Sequence, residues 1–127
     1  MSNILLVEPD KYLASLYAQA LKESGYEVFQ ARTIERAVVL LDTNHVDVLI
    51  LELQIAQHNG IELLYEMRSY EDWNAIRIIV QSTIPQHTFM PSITVKHLRV
   101  DEYLYKPKTS LFALCATVQK VLSRQHA

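Results

Sequence analysis

The chain has 127 residues, 50% of them hydrophobic and 20% charged, with a formal charge of -2 and a single cysteine. That describes one globular domain over residues 1–127, long enough to bury about two-thirds of its unfolded surface. It excludes the basic footprint of a nucleic-acid or anionic-membrane binder, an internal disulfide, and a cysteine-based zinc site.

Asn3-Ile4-Leu5-Leu6-Val7 reads as a buried first strand ending on Glu8-Pro9-Asp10. Leu13, Leu16, Tyr17, Ala20 and Leu21 then recur at the spacing of an amphipathic helix, and Gly25 stops it. Glu27 to Ala31 fits a second strand, and Thr33 caps a second helix with Ile34, Ala37, Val38 and Leu41 inward. Asp47-Val48-Leu49-Ile50-Leu51-Glu52 has no polar alternation, so it reads as a strand buried on both faces. It ends on a carboxylate, where open parallel sheets place their chemistry. Gln54 to Gly60 reads as a polar loop, followed by a third helix with Ile61, Leu64, Tyr65 and Met67 inward.

Ile76 to Gln81 gives a fourth strand ending on Ser82. Between His87 and Leu98 a short or late-starting helix is expected, because Pro91 is tolerated only near a helix start. Glu102 to Tyr105 is the fifth strand, leading into Lys106-Pro107. The last helix carries Leu111, Leu114, Cys115, Val118 and Leu122 on one face, with Thr109 or Ser110 as its cap. Strands alternating with helices imply a doubly wound parallel α/β sheet. No apolar run reaches the roughly 18 residues of a membrane span, Met1-Ser2-Asn3 is unlike a signal peptide, and no linker suggests an effector domain. A cytoplasmic protein is expected.

Five pieces in this order resemble the receiver domain of two-component response regulators, the CheY-like family. They are Ile4 to Glu8, Gly25 to Val28, Asp47 to Leu51, Gly60 to Leu64, and Asp101 to Pro107. The resemblance covers nearly the whole chain and implies a flavodoxin-like, five-stranded (βα)5 sheet of strand order 2-1-3-4-5. It also implies a stand-alone, non-enzymatic signalling domain whose partner is a histidine kinase, another regulator or a signalling assembly. Contact would run through the fourth helix, fifth strand and last helix, and the resemblance leaves room for a homodimer.

In the family, paired acids after strand one and an aspartate after strand three hold magnesium, and the aspartate takes a phosphoryl group. A hydroxyl after strand four and a lysine after strand five contact that group. Carried over, Glu8 matches the first acid, Ser82 the hydroxyl, Lys106 the lysine, and Tyr103 the aromatic that changes rotamer. Two positions depart. Pro9 stands where a metal-ligating acid belongs, and Glu52 stands where the phospho-acceptor belongs.

Proline has no side-chain oxygen, so Pro9 deletes a ligand that magnesium would use. Asp10 is the nearest substitute within an acidic pocket of Glu8, Asp10 and Glu52, but it is also placed to cap the first helix. No cofactor is therefore expected, with Glu8 and Asp10 as the only metal candidates. Glu52 is one methylene longer than aspartate, which displaces its oxygens from in-line geometry and moves them towards Lys106. A Glu52–Lys106 ion pair with Ser82 alongside would fix one conformation without phosphate. The pattern thus points to a phosphorylation-independent interaction module, a pseudo-receiver. The alternatives are a phosphorylatable receiver with an atypical acid site, or a flavin or nucleotide protein. Glu8-Pro9-Asp10-Lys11 lacks the glycines the last would need.

Other residues carry two readings each. Tyr103, Tyr105, Phe89 and Met90 form a docking patch if Tyr103 faces out, or else pack against helices. Trp73 reads as an anchor and Cys115 as a small core residue. The five histidines lack metal spacing, and His58 beside the pocket is the one candidate pH sensor. Ala56 and Gln54 are lesser departures from the family pattern, and the segment from Pro85 to Pro91 departs most. Lys96, His97, Arg99, Lys106 and Lys108 read as a solvated rim.

Overall fold

The computed structural model describes residues 1–55 and 58–124, except the side chains of His58 and Phe89. Expectations for Ala56, His126 and those two side chains lie outside the described residues.

The strands β1 (Asn3–Val7), β2 (Glu27–Ala31), β3 (Val48–Leu51), β4 (Arg77–Ser82) and β5 (Glu102–Tyr105) form one parallel sheet. Their order is β2-β1-β3-β4-β5. The helices α1 (Lys11–Glu23) and α6 (Leu111–Ser123) cover one face. On the other lie α2 (Ile34–Thr43), α3 (Ile61–Ser69) and the α5 segment (Ser92–His97). The absence of polar alternation in the strands follows from this arrangement. Leu5 and Val7 of β1 enter the core under α2 and α3, while Ile4 and Leu6 enter the core under α1 and α6. No helix among the described residues is long and apolar enough to cross a membrane.

Local chemistry explains the element ends. Asp10 Oδ1 accepts the Tyr12 and Leu13 N–H groups and starts α1. Thr33 Oγ1 accepts Arg36 N–H at α2, and Ser110 rather than Thr109 caps α6 through Ala113 N–H. At the end of α1, Gly25 takes φ +97. This lets the Gly25 and Tyr26 N–H groups close back on Lys22 and Leu21 carbonyls.

Three expectations change and one gains detail. Leu16 and Tyr65 face solvent at 47% and 49% exposure, because each helix packs against the sheet on only one side. Ala14 and Ala18 take the inner positions of α1, and Leu63 that of α3. The loop after β3 contains a two-residue antiparallel pairing, Gln54–Ile55 with His58–Asn59. The expected short, late-starting helix between His87 and Leu98 is α5, with Pro91 as the residue before it, and a separate turn α4 (Gln86–Phe89) precedes it. Pro91 has no N–H to continue α4, yet its fixed φ suits the start of the next turn. Met90 is fully buried, which removes it from the expected docking patch.

Candidate functional site

Register decides what meets at the carboxyl edge of the sheet. Val7 pairs with Leu51, so Glu8 and Glu52, one residue further on, emerge side by side. The Glu52 N–H still bonds the Val7 carbonyl at 3.0 Å. Both glutamates are buried, at 2% and 4% exposure. Two adjacent buried carboxylates repel and demand a positive charge. Lys106 supplies it from the turn Lys106–Lys108 that follows β5. Its Nζ lies 2.6 Å from Glu8 Oε1 and 2.8 Å from Glu52 Oε1. Burial works against the lysine charge, but the hydrogen bonds to Glu52 and Glu8 outweigh it and hold its pKa above the ordinary lysine value.

The remaining carboxylate oxygens are also engaged. Glu8 Oε2 accepts Asp10 N–H at 3.1 Å, and Glu52 Oε2 accepts Gln54 N–H at 3.3 Å. Thr83 N–H approaches Glu52 Oε1 at 3.4 Å. Two backbone N–H groups and an ammonium converging on one carboxylate form an anion cradle, and the chain fills it with its own residue 52. Gly60 makes this packing possible. A Cβ there would lie 3.1 Å from Leu51 Cδ2, 3.2 Å from Leu53 Cα and 3.3 Å from the Glu52 carbonyl oxygen.

Asp10 does not join the two glutamates. Its carboxylate is spent on the α1 N-terminus, where orphan N–H groups and the helix dipole hold it. Ser82, fully buried, accepts Ile84 N–H through Oγ at 3.1 Å. The donor that this loop sends to Glu52 is therefore the Thr83 backbone, beside which Thr83 Oγ1 donates to Gln54 Oε1 at 3.3 Å. Tyr103 turns inward and donates its hydroxyl to the Ile84 carbonyl, which corrects the outward reading. Burial raises the Tyr103 pKa, the Ser82 hydrogen bond opposes that, and the Glu52 charge adds to it. Tyr17 of α1 borders the same pocket: burial raises its pKa, Lys106 opposes, and the nearby carboxylates reinforce the rise.

These donors do not fit magnesium. Pro9 offers no side-chain oxygen, Asp10 faces the helix, and each oxygen of Glu8 and Glu52 already accepts a hydrogen bond. Among the described residues no group of three or more His, Cys, Asp or Glu is arranged to hold a metal.

The sequence reading missed the Glu8–Lys106 bond and the two backbone donors. The first was legible in principle from the adjacency of β1 and β3, which makes the two acids neighbours. Backbone N–H groups leave no residue signature. Exposed Ile93 on α5, at 79%, and Phe112 on α6, at 84%, were also not singled out.

Comparison with known proteins agrees with this architecture. The transcriptional regulatory protein CpxR of Klebsiella pneumoniae is 32% identical over 126 residues, covering 99% of this chain and 51% of that protein. The KDP operon transcriptional regulatory protein KdpE of Escherichia coli is 31% identical over 107 residues, covering 84% and 45%. The chain thus spans about half the length of the curated relatives it matches. In structure it superposes on the non-phosphorylated HemR receiver domain of Leptospira biflexa with a TM-score of 0.85 at 24% identity, over 100% of this chain and 98% of that one. Residues 4–118 match the response regulator receiver domain model, so with its 2-1-3-4-5 sheet and its residues clustered at the strand ends the chain belongs to the response regulator receiver family.

Proposed function

We propose that this receiver domain signals without being phosphorylated, as a protein-interaction module in a two-component pathway. One observation carries the reading. The cradle formed by Lys106 and the Gln54 and Thr83 N–H groups is filled by the Glu52 carboxylate, which is 4% exposed. A phosphoryl group arriving at residue 52 would have to break the Lys106 contact, and the longer side chain holds its oxygens away from in-line attack. The same contact fixes the loop after β4, where Tyr103 bonds Ile84. A permanent carboxylate then does what a transient phosphoryl group does elsewhere in the family: it holds one arrangement of the surface made by α5, β5 and α6. That surface is where a kinase, another regulator or a second copy of the chain docks, in the cytoplasm.

The test is to incubate the protein with a small phosphodonor and magnesium and weigh it intact. The expected result is an unchanged mass. A stable gain of one phosphoryl group would remove this reading and favour a phosphorylatable receiver with an atypical acid.

A further inference from the structure

The helices on the two sides of the sheet differ in charge. No charged side chain falls between Tyr12 and Leu21 on α1, or between Leu111 and Gln119 on α6. On the opposite side α2 carries Glu35, Arg36 and Asp42, and α3 carries Glu62, Glu66 and Arg68. Yet the uncharged layer holds the two most exposed aromatic side chains among the described residues, Tyr12 at 85% and Phe112 at 84%. Leu16, one turn on from Tyr12, is 47% exposed. Apolar residues exposed singly are ordinary. A charge-free layer with two projecting aromatics has the composition of an interface centre instead.

We propose that the α1–α6 layer is where this chain pairs with a second copy of itself about a twofold axis. A second copy is singled out because one face holds both a projection and a recess. The Phe112 ring stands out from α6, and beside it runs an open groove of about 360 Å³ lined by Ser24, Tyr26, Phe112, Cys115, Ala116 and Gln119. A space of about 150 Å³ already holds a benzene ring, so the groove has room for Phe112 of the second copy. A twofold operation makes that contact reciprocal, each copy giving one ring and receiving one. Charges return only at the ends of the layer, with Lys11, Lys22, Glu23 and Lys120, where an interface has its polar rim. Each helix has 13 residues and is about 20 Å long. Two such helices about 10 Å apart form a face on the order of the 800 Å² that each partner buries in a stable dimer. Pairing here leaves α5, with Ile93 at 79% exposure, clear for a kinase or another regulator. Residue 52 plays no part in this face, so the phosphodonor experiment neither supports nor removes the pairing.

Sedimentation equilibrium over a concentration series is run on the wild type, Tyr12→Lys, Phe112→Lys and Ile93→Lys. All three side chains are largely in solvent, so the core is untouched, and an unchanged urea midpoint checks this. The wild type should dimerise with a sub-millimolar dissociation constant. Tyr12→Lys and Phe112→Lys should each weaken it at least about a hundredfold, because a central aromatic is worth about tenfold or more and a twofold axis counts each substitution twice. Ile93→Lys should stay close to the wild type. The proposal is overturned by a wild type still monomeric at about 1 mM, by a dimer that survives either lysine on the α1–α6 layer, or by a dimer that Ile93→Lys abolishes. Alkylation of Cys115, which is partly exposed in the groove, gives a second reading on the wild type alone. The rate per thiol should fall as protein concentration rises, since Phe112 of the second copy covers the groove. A rate independent of concentration also overturns the proposal.

Discussion

Replacing Lys106 by Met keeps the length and apolar body of the side chain and deletes the charge. Glu8 and Glu52, at 2% and 4% exposure, are then left with backbone donors only, at 3.1 to 3.4 Å. Removing one member of a buried ion pair costs about 3–5 kcal/mol. Mutual repulsion of two carboxylates about 5 Å apart, at an effective dielectric of about 20, is by itself about 3 kcal/mol. The variant has an escape, because one carboxyl can take up a proton and share it with the other. Its folded-state pKa then lies above the unfolded value of about 4.3, so the folded chain binds more protons than the unfolded one and stability rises as pH falls. For one proton the recovery between pH 7 and pH 5 is at most about 2.7 kcal/mol. In the wild type Lys106 is protonated in both states over that interval and adds no slope. Urea denaturation of both proteins at pH 7 and pH 5 reads this directly. The expected gap is about 3–5 kcal/mol at pH 7, narrowing clearly at pH 5. A gap below about 1 kcal/mol at pH 7, the worth of an exposed pair, or an equal gap at both values, would refute the buried-cation argument.

Above neutrality the raised pKa of Lys106 gives the opposite limb. Its contribution persists up to the unfolded lysine value of about 10.4 and is lost as pH climbs through the folded value, so the Lys106→Met variant should lack that part of the alkaline transition in a circular-dichroism titration. Gly60→Ala should cost about 1–3 kcal/mol in urea denaturation, because its Cβ meets Leu51 and Leu53 at 3.1 and 3.2 Å. It should also shift the Glu52 amide in an NMR spectrum, and an unchanged amide would mean that the loop yields elsewhere. Arg68 donates to the Leu98, Asn74, Ile76 and Arg99 carbonyls, tying α3 to the turn after α5, and burial lowers its pKa to about 10. Arg68→Lys keeps the charge but not the planar fork; it should destabilise by about 2 kcal/mol or more and speed hydrogen exchange at Leu98 and Arg99. Gln81 is 2% exposed with its Nε2 lacking a partner among the described residues, so Gln81→Met should raise the urea midpoint by the equivalent of about 1 kcal/mol. A fall would show that the amide is satisfied in solution.

The parts legible in the sequence were those written by repetition or by a single rigid residue. β1 and β3 declared themselves through unbroken apolar runs, since a sheet covered on both sides needs both side-chain parities to be greasy. Thr33 and Gly25 marked helix ends because few other residues do those jobs. Tyr65 misled because an aromatic at helical spacing looks like core, yet α3 has room for one inward stripe and Leu63 with Leu64 fills it. The segment between Ser82 and Leu98 was hardest to read, because two prolines cut it into pieces too short to show a period.

At the pocket the same division holds. The encounter of Glu52 with Lys106 was foreseeable from side-chain length, since one extra methylene at a strand end has few directions to go. The presence of Glu8 on the other side of the same ammonium follows from the adjacency and register of β1 and β3, which the implied strand order makes legible in principle but no single segment displays. That second carboxylate changes the physics. A lone Glu52–Lys106 pair would be neutral and easily opened, whereas an ammonium clasped by two acids carries surplus negative charge and is held from both strands. Opening it exposes two buried carboxylates at once, and that cost is what the proposed phosphorylation-independent reading sets against ligand exchange.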